Sequence, residues 1–497
     1  MTEPLADDEG PDADLAWPDP ADLLQGEGRF STDDSAEGLP DDSYWMRIAV
    51  QVGAQGGRAV RPNPRVGCVL VRDGEIVATG FHARCGGLHA EAVALARAGD
   101  RARGTTAYVT LEPCNHWGRT PPCAEALRAA GVVRVVVGVL DPHPHAKGGA
   151  ATLRAAGIAV DTGVESAACA RLAEVFLTNL IEKRAFLQMK LAMTLDGRTA
   201  AADGSSRWLT GPPSRARVHR WRAEADAVLI GSGTALADDP RLDVRDAPLD
   251  GPQPLRVVLD RRLRLPVDGH LADTSRQPTL VICADVDAAT GARGDELRRR
   301  GVEVLCIPTG AGAGTGTGTA AGAEAGAGTG TGTAAGAGAG AGTGTGTGTA
   351  AGAEAGAGAG TAAGAEAEAG TAAGAEAEAA AGAEAGAGTA AGAGAGPEAG
   401  FDPWLRAVLV ALHARGVCAV LCEGGGELAG AFLREGLVDR LDVLVAPLLL
   451  GAGAPVVGDL GIGSLPAAHR LRFDPPQALG DDIWLCARPV RDRASRP

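Results

Sequence analysis

Two cysteines, a histidine and a glutamate in the first third of the chain have the types and spacing of a catalytic zinc site. Cys114 and Cys123 flank a loop at 115–122, and His89 and Glu91 lie two residues apart upstream. Two thiolates and one imidazole supply three protein ligands, the number found at a catalytic zinc that keeps one position open for water. Glu91 is then a free carboxylate that can move protons, so the set favours hydrolytic deamination of an amino-substituted ring.

The surroundings of these residues leave several alternatives open. The eight-residue loop between the cysteines is longer than the two-residue spacing of most zinc deaminases, and a structural zinc or two unliganded cysteines is the alternative reading. A structural site normally has four good ligands, and His116 and Cys85 are the candidates for a fourth. His116 is favoured instead as a substrate or loop contact. Asn63, in a proline turn, and His82 are candidates for contacts with a base edge, and ordinary turn residues are the alternative.

Alternating strands and helices must position these residues from Tyr44 onward. Runs at 66–71 and 76–81 predict a hairpin, because the Asp73-Gly74 pair between them tolerates the positive φ of a tight turn. The other predicted elements are a helix at 89–98, a strand ending at 111, a helix at 123–130, a strand at 132–139, and a short helix passing into a strand at 153–160. This rhythm predicts a sheet covered by helices.

A predicted helix from about 165 to 184 leads into a second α/β pattern. The predicted strands lie at 186–192, 227–230, 255–259, 279–283, 302–307, 417–422, 441–446 and 483–486, and the predicted helices at 212–225, 403–415 and 427–434.

Two regions lack the large apolar side chains that a core requires. Residues 1–42 are rich in Asp, Glu, Pro and Gly, which predicts a disordered acidic arm rather than a signal peptide. The stretch at about 309–400 holds almost only Gly, Ala, Thr and Glu, which predicts a flexible insertion, with silk-like stacking as the alternative. We therefore predict domains at 43–183 and 184–490, the second of them interrupted by this insertion.

Composition narrows the classes of partner. A formal charge of −15 disfavours nucleic acid, since binding to phosphate backbones depends on basic surface. The chain holds no run of about 18 apolar residues that would predict a membrane span. Ten cysteines without a paired framework indicate a reducing, cytoplasmic environment. Seven of them lie in apolar runs and are predicted to be small core residues: Cys68, Cys169, Cys283, Cys306, Cys418, Cys422 and Cys486.

Four stretches of the first half resemble the deaminase half of the bifunctional riboflavin-biosynthesis deaminase/reductase family. They are Arg-Pro-Asn-Pro-Arg-Val-Gly at 61–67, His-Ala-Glu at 89–91, Thr-Leu-Glu-Pro-Cys at 110–114 and His-Trp-Gly-Arg-Thr-Pro-Pro-Cys at 116–123. The second half is similar to the same family at 190–198, 208–212, 238–242 and 423–425. The resemblance implies a cytidine-deaminase-like αβα N-terminal domain followed by a dihydrofolate-reductase-like α/β C-terminal domain, with Zn²⁺ and NADPH as cofactors.

The resemblance also implies roles for individual residues. The zinc ligands would be His89, Cys114 and Cys123, with Glu91 catalytic. The dinucleotide contacts would be Ala192, Trp208, Thr234, Asp238, Gly425, Gly426, Glu427, Leu428, Ala429, Gly430 and Ala431. The substrate contacts would be Lys190, Ser206, Arg222, Leu242, Arg245 and Glu423, in addition to the candidates Asn63, His82 and His116 named above.

The residues themselves support part of this assignment. A Gly-rich turn from Glu423 into a helix lets backbone N–H groups approach a phosphate, although a simple tight turn is the alternative. Lys190 stands alone in an apolar strand and needs a partner. Arg222 and Arg245 could hold a substrate phosphate, and solvated surface charges are the alternative reading.

The expected function is zinc-dependent hydrolytic deamination of 2,5-diamino-6-(ribosylamino)pyrimidin-4-one 5′-phosphate. NADPH-dependent reduction of its ribosyl side chain would follow, giving 5-amino-6-(ribitylamino)uracil 5′-phosphate. Departures from the family pattern occur at 85–88, Asn115, Ala192 and 426–427, and none removes a predicted ligand. A deaminase of another base or nucleoside with a degenerate second domain, and a non-catalytic binding or regulatory homologue, are the alternatives. The partner would be a small phosphorylated pyrimidine, and a homo-oligomer is left open.

Overall fold

The computed structural model describes residues 40–117, 121–206, 208–309 and 402–490. The predicted acidic arm, except residues 40–42, and the predicted Gly/Ala/Thr/Glu insertion, except residue 309, lie outside these ranges. Within them, no helix is both long and apolar enough to cross a membrane.

The first half of the chain forms a five-stranded sheet with helices on both faces. In chain order its elements are α1 (Asp42–Gly53), β1 (Gly67–Arg72), β2 (Glu75–Phe81), α2 (Ala90–Ala98), β3 (Thr106–Leu111), α3 (Cys123–Ala129), β4 (Arg134–Val139), α4 (Gly149–Ala155), β5 (Ala159–Thr162), α5 (Ser166–Leu172) and α6 (Glu174–Glu182).

The strands of this sheet follow the order β2-β1-β3-β4-β5. β1 is antiparallel to β2 and to β3, whereas β3, β4 and β5 run parallel. The predicted hairpin is confirmed, and its turn residues Asp73 and Gly74 have φ values of 54° and 78°. Such left-handed pairs match the twist of the flanking strands.

Alternate residues of these strands pack on opposite faces of the sheet, as the two-residue period of a strand requires. Leu70 and Val109 contribute to a core with α2, α3 and α4. Val69 and Tyr108 pack on the other face with Trp45 of α1. The predicted α/β/α layering follows from these two cores.

The second half contains a larger sheet, a separate two-stranded sheet and the helices that connect their strands. Its elements are β6 (Phe186–Thr194), β7 (Arg198–Ala200), α7 (Pro212–Glu224), β8 (Ala227–Gly231), α8 (Ser232–Asp238), β9 (Leu255–Leu259), β10 (Thr279–Cys283), α9 (Val286–Thr290), α10 (Ala292–Arg299), β11 (Glu303–Cys306), α11 (Pro403–Ala414), β12 (Ala419–Cys422), α12 (Gly426–Arg434), β13 (Arg440–Ala446), β14 (Ala454–Pro455), β15 (Leu471–Phe473), β16 (Gln477–Leu479) and β17 (Asp482–Pro489).

The larger sheet has the order β11-β10-β9-β8-β12-β6-β13-β17-β15, with β16 also paired to β17. β7 and β14 form the two-stranded sheet. In this order, the seven neighbouring strands from β11 through β6 to β13 are parallel, and β17 pairs with β13 in the antiparallel direction. The carboxyl ends of β8 and β12 therefore lie side by side, and each is followed by a helix. Ligands of open parallel sheets bind at that edge.

Most predicted elements are present within a few residues, and three differences have local causes. The helix predicted from 165 to 184 is two helices, α5 and α6, because the backbone leaves helical geometry at Ala173. The short helices α8, α9 and α10 were not predicted, since their polar or Gly-containing sequences lack a clear apolar stripe. Cys306 is half-buried rather than fully buried, because β11 lies at the sheet edge.

Ion pairs connect the two halves. Arg61 lies 2.8 Å from the Asp226 carboxylate, and Arg65 lies 3.6 Å from Glu224 at the end of α7. On α6, Glu174 accepts hydrogen bonds from Arg440 and Arg488 of the large sheet. The segment that carries Asn63 thus lies directly against the end of α7.

Candidate active sites

His89, Cys114 and Cys123 converge from three elements of the first half. His89 is the residue before α2, Cys114 follows β3, and Cys123 begins α3. Their ligand atoms all lie within 4.8 Å of one another, and they form the sole cluster of three or more His, Cys, Asp or Glu side chains with metal-ligand spacing in the described ranges. The types and spacing in the sequence therefore correspond to one place in the fold.

The separations of these atoms fit a zinc ion. The Nδ1 atom of His89 lies 3.6 Å from the sulfur of Cys114 and 3.4 Å from the sulfur of Cys123. Zinc bound at about 2.3 Å to sulfur and about 2.0 Å to nitrogen in tetrahedral geometry places such atoms about 3.6 Å apart. Three protein donors and one side open to a cavity are the arrangement of a catalytic rather than a structural zinc.

The two thiols and the imidazole shift one another's pKa values. The backbone N–H of Cys123, at the N-terminus of α3, donates to the Cys114 sulfur at 3.3 Å. Hydrogen bonds from Cys123 and His89 lower the pKa of Cys114 to about 4. The hydrogen bond with Cys114 and burial raise the pKa of Cys123. The hydrogen bond with Cys114 raises the pKa of His89.

A cavity of about 540 Å³ opens on this cluster. His89, Glu91 and Cys114 all line it, and Glu91 is almost fully buried on the first turn of α2. Burial raises the pKa of Glu91 to about 6. A carboxyl group with a pKa close to neutrality can both accept and release a proton under physiological conditions.

Asn63 and His82 meet on another wall of the same cavity. The Nδ1 atom of His82 lies 2.9 Å from the Leu88 carbonyl, which can only accept, so Nδ1 carries the proton. Burial lowers the pKa of His82, so the ring is neutral and its Nε2 accepts from the Asn63 amide nitrogen at 3.1 Å. This contact orients the amide and leaves the Asn63 oxygen as an acceptor for a ligand.

His116 lines the cavity and is exposed, whereas Cys85 is exposed and lies outside the ligand cluster. The structure adds Glu112, Asp141, His143 and Phe176 to the lining. Glu112 accepts backbone hydrogen bonds from Asp141, Gly148 and Ala150, so it fixes the loop that forms this wall. The Thr-Leu-Glu-Pro-Cys motif was the sequence signal for Glu112, but the partners of its carboxylate were not predictable.

A second cavity, of about 700 Å³, lies at the carboxyl edge of the large sheet. Seven of the predicted dinucleotide contacts line it: Thr234, Asp238, Gly425, Gly426, Glu427, Leu428 and Ala431. Gly425 is the residue before α12, so the free N–H groups of that helix point toward the cavity. A side chain at Gly426 would collide with the Pro455 carbonyl, which accounts for glycine there.

Three arginines of this cavity were missed by the sequence reasoning. Arg261, Arg262 and Arg264 follow β9 and line the cavity together with Ser232 of α8. The Arg264 guanidinium donates to the Ser232 hydroxyl at 2.6 Å. The Arg-Arg-Leu-Arg run was visible in the sequence, but nothing in it indicated that the run faces the turn at Gly425.

Four predicted dinucleotide contacts do not line this cavity. Ala429 and Gly430 are buried in α12. Ala192 packs against the buried cluster that contains Val218 and Trp221 of α7. Trp208 is exposed and has the Arg215 guanidinium over its ring at 4.6 Å. Most of the predicted dinucleotide contacts therefore line one cavity, and these four residues lie outside its lining.

The predicted substrate residues Lys190, Arg222 and Glu423 form a charged cluster beside the end of β12. The Arg222 guanidinium makes a two-pronged contact with the Glu423 carboxylate, at 2.5 and 2.8 Å. Although burial opposes both charges, this contact raises the pKa of Arg222 and holds that of Glu423 below its usual range. Burial lowers the pKa of Lys190, which interacts with both. The geometry thus gives Arg222 a carboxylate partner rather than a free face for phosphate.

The remaining predicted substrate residues lie on loops. Leu242 is buried with a φ of 56°, and Arg245 is exposed and pairs with Asp243 at 2.8 Å. Ser206 is exposed, next to a residue outside the described ranges. His219 of α7, which was not predicted, is buried near this cluster, and burial lowers its pKa.

Comparisons with known proteins cover both halves of the chain. A family model described as the cytidine and deoxycytidylate deaminase zinc-binding region matches residues 39–139. A model described as the RibD C-terminal domain matches residues 185–293 and 404–485. The riboflavin biosynthesis protein RibD of Bacillus amyloliquefaciens is 37% identical over 452 residues, covering 90% of this chain and 96% of that protein.

Solved structures agree with these matches. RibD of Acinetobacter baumannii is 32% identical with a TM-score of 0.61, covering 91% of this chain and 100% of that chain. A diaminohydroxyphosphoribosylaminopyrimidine deaminase/5-amino-6-(5-phosphoribosylamino)uracil reductase of Thermotoga maritima is 26% identical with a TM-score of 0.62, covering 90% and 99%. The predicted fold class, a deaminase-like domain followed by a reductase-like domain, is confirmed.

Proposed function

The chain belongs to the RibD family of bifunctional riboflavin-biosynthesis enzymes, and from that premise we propose which of its residues serve each reaction. The protein is a zinc-dependent deaminase and an NADPH-dependent reductase. Its first reaction deaminates 2,5-diamino-6-(ribosylamino)pyrimidin-4-one 5′-phosphate, and its second reduces the ribosyl side chain to ribityl. The observation that carries the assignment is that the cluster of His89, Cys114 and Cys123 lies at a cavity that Glu91 also lines.

We assign the zinc ion to His89, Cys114 and Cys123. Zinc in such a site supplies a Lewis acid that lowers the pKa of its water to near 7. The Glu91 carboxylate would take a proton from the attacking water and deliver it to the departing amine. Its burial and its pKa of about 6 suit both transfers.

The pyrimidine would bind against Asn63 and His82. Because the Asn63 nitrogen is used by His82, the amide oxygen remains to accept from an amino group of the base. His116 and His143 line the same cavity and would contact the rest of the substrate. A base bound in another orientation would lose these hydrogen bonds, so this wall of the cavity would select one orientation of the base.

The dinucleotide would lie in the cavity at the end of β8 and β12. NADPH supplies the hydride for the second reaction when it is bound. The N–H groups at the start of α12 would hold its pyrophosphate, and Thr234 would lie beside them. Arg261, Arg262 and Arg264 line the same cavity, where Arg261 pairs with Asp402 and Arg264 with Asp260, and their guanidinium groups would suit the 2′-phosphate that distinguishes NADPH from NADH.

The sugar phosphate of the second reaction would bind between Lys190, Glu423 and the loop at 242–245. The Arg222 contact holds the Glu423 carboxylate in one orientation, so that it can accept from a ribose hydroxyl. Lys190 and the exposed Arg245 would then meet the phosphate. The division of the chain at 183/184 falls between the end of α6 and the start of β6, and we retain it as the boundary of the two domains.

We further propose a small phosphorylated pyrimidine as the partner and the cytosol as the compartment, which suits ten cysteines that are all free in the structure. A coupled assay tests the whole assignment. The substrate and NADPH are added together, and ammonia and NADPH absorbance are followed at the same time. Glu91→Gln should abolish ammonia release but spare NADPH oxidation when the deaminated intermediate is supplied. Loss of both activities in that variant would contradict the division of labour.

A further inference from the structure

Arg58, in the deaminase domain, donates three hydrogen bonds to the reductase domain. Its Nη1 atom donates to the Ala225 carbonyl at 3.2 Å and its Nε atom to the Asp250 carbonyl at 3.2 Å. Its second terminal nitrogen donates to the Pro252 carbonyl. One guanidinium therefore joins the end of α7 to the loop around residue 251.

The loop held by Arg58 is attached to the proposed substrate loop through Gln253. The Gln253 side chain accepts from the Val244 N–H at 2.8 Å and donates to the Val244 carbonyl at 3.0 Å. This pair of contacts satisfies both backbone groups of Val244 in the way that a neighbouring strand would. Val244 lies between Leu242 and Arg245, so its position sets theirs.

Helix α7 holds the same loop from the other side. Arg222 donates to the Asp243 carbonyl at 3.1 Å, and the Arg245 N–H lies 3.4 Å from the His219 ring. Arg58 contacts both supports, since Ala225 directly follows α7 and Pro252 precedes Gln253. The loop thus lies between two anchors that one residue of the other domain ties together.

The loop needs such anchoring because its backbone is strained. Leu242 is a non-glycine residue with a φ of 56°. Left-handed conformations of that kind are unfavourable for a residue with a Cβ atom and persist where surrounding contacts over-determine them. Removal of an anchor should therefore let the loop relax away from its binding conformation.

We propose that Arg58 and Gln253 are positioning residues of the reductase, through which the deaminase domain holds the 242–245 loop ready for substrate. This inference rests on the proposed assignment of that loop to the substrate. It makes the reductase site dependent on a residue outside the reductase domain. Neither residue touches the dinucleotide cavity or the zinc cluster, so their effect should be confined to binding of the pyrimidine substrate.

The test uses the full chain and measures NADPH oxidation with the deaminated intermediate as substrate. Arg58→Ala should raise the KM for the intermediate about tenfold, as loss of about 1.4 kcal/mol of binding would. The KM for NADPH, the kcat and ammonia release should stay unchanged. Arg58→Lys, which retains the charge and one donor group, should recover part of the loss. Gln253→Leu should reproduce the effect, and the double variant should be little worse than either single one.

Arg154→Ala is the matched control. That arginine also donates through Nε and Nη2 to a backbone carbonyl, that of Val160, but entirely within the deaminase domain. It should leave the KM for the intermediate unchanged. A parallel fall in kcat, NADPH affinity and thermal stability in the Arg58 variants would overturn the inference in favour of a general structural role.

Arg245→Ala separates failure of this inference from failure of the assignment beneath it. If Arg245→Ala raises the KM for the intermediate and Arg58→Ala does not, the positioning role is overturned and the substrate loop stands. If Arg245→Ala also has no effect, the loop does not bind substrate, and both proposals fail.

Discussion

The side-chain amide of Asn63 donates a hydrogen bond to the Nε2 atom of His82, and the opposite ring nitrogen is held by the Leu88 carbonyl. The backbone carbonyl thereby fixes the tautomer of His82, and His82 fixes the orientation of Asn63. A turn residue and a hairpin-end residue, 19 positions apart, act as one unit on the wall of the zinc cavity.

The unit predicts a specific consequence of removing the ring. His82→Ala should lower kcat/KM for ammonia release about tenfold, because the Asn63 amide would no longer be held in one orientation. Zinc content should remain near one ion per chain, since His82 is not a ligand. Ammonia release and metal analysis check both points, with His270→Ala, an exposed histidine of the other domain, as the control. Loss of zinc in His82→Ala would show that the residue supports the metal instead.

Zinc removal should reduce the deaminase activity and leave the reductase activity intact. A chelator, or the variant Cys123→Ser, should reduce ammonia release by about a hundredfold or more, because the ligand set has no spare donor among the described residues. NADPH oxidation with the deaminated intermediate should persist. Restoration of ammonia release by added Zn²⁺ after chelation is the expected control. Simultaneous loss of reductase activity would mean that the metal site supports the whole molecule.

The zinc site could be predicted from sequence because cysteine and histidine are the usual ligands of zinc in proteins. Two cysteines and a histidine at this spacing, with a glutamate beside the histidine, are typical of few sites other than a zinc site; here they are Cys114, Cys123, His89 and Glu91. Arg58 and Gln253 carry no such signal, since they act on backbone carbonyls and amides, which any sequence offers. Arg58 and Pro252 are 194 residues apart, and only the fold brings them together. The break at Ala173 was missed for a similar reason, because no Gly or Pro marks it.

The Arg222–Glu423 contact should depend on the shape of the guanidinium. Arg222→Lys keeps the charge but cannot form the two-pronged contact, so we expect a tenfold or larger loss of reductase kcat/KM, about 1.4 kcal/mol. Glu423→Gln should cause a loss of similar size by leaving Arg222 without its charged partner. Steady-state NADPH oxidation measures both, and ammonia release should not change. Wild-type behaviour of Arg222→Lys would show that only its charge matters.

The arginines after β9 should determine the choice of dinucleotide. Arg264→Ala should raise the KM for NADPH about tenfold while leaving the KM for NADH unchanged, because only NADPH carries the 2′-phosphate. The ratio of kcat/KM values for the two dinucleotides is the measurement. Arg299→Ala provides the control, since that arginine is exposed and pairs with Glu296. Equal losses with NADPH and NADH would place Arg264 at a part of the dinucleotide that both share.

Lys190 should give the reductase an alkaline limit. Burial lowers the pKa of Lys190, so its charge is present below that lowered pKa and is lost as the pH rises through it, sooner than for an ordinary lysine. If that charge binds the substrate phosphate, reductase kcat/KM falls over the same pH range. Lys190→Arg stays charged throughout, so it should move the alkaline limb to higher pH even if its activity is lower at neutrality. Lys147→Arg, at an exposed position of the deaminase domain, should leave the profile unchanged. An unshifted limb in Lys190→Arg would assign the alkaline limit to another group.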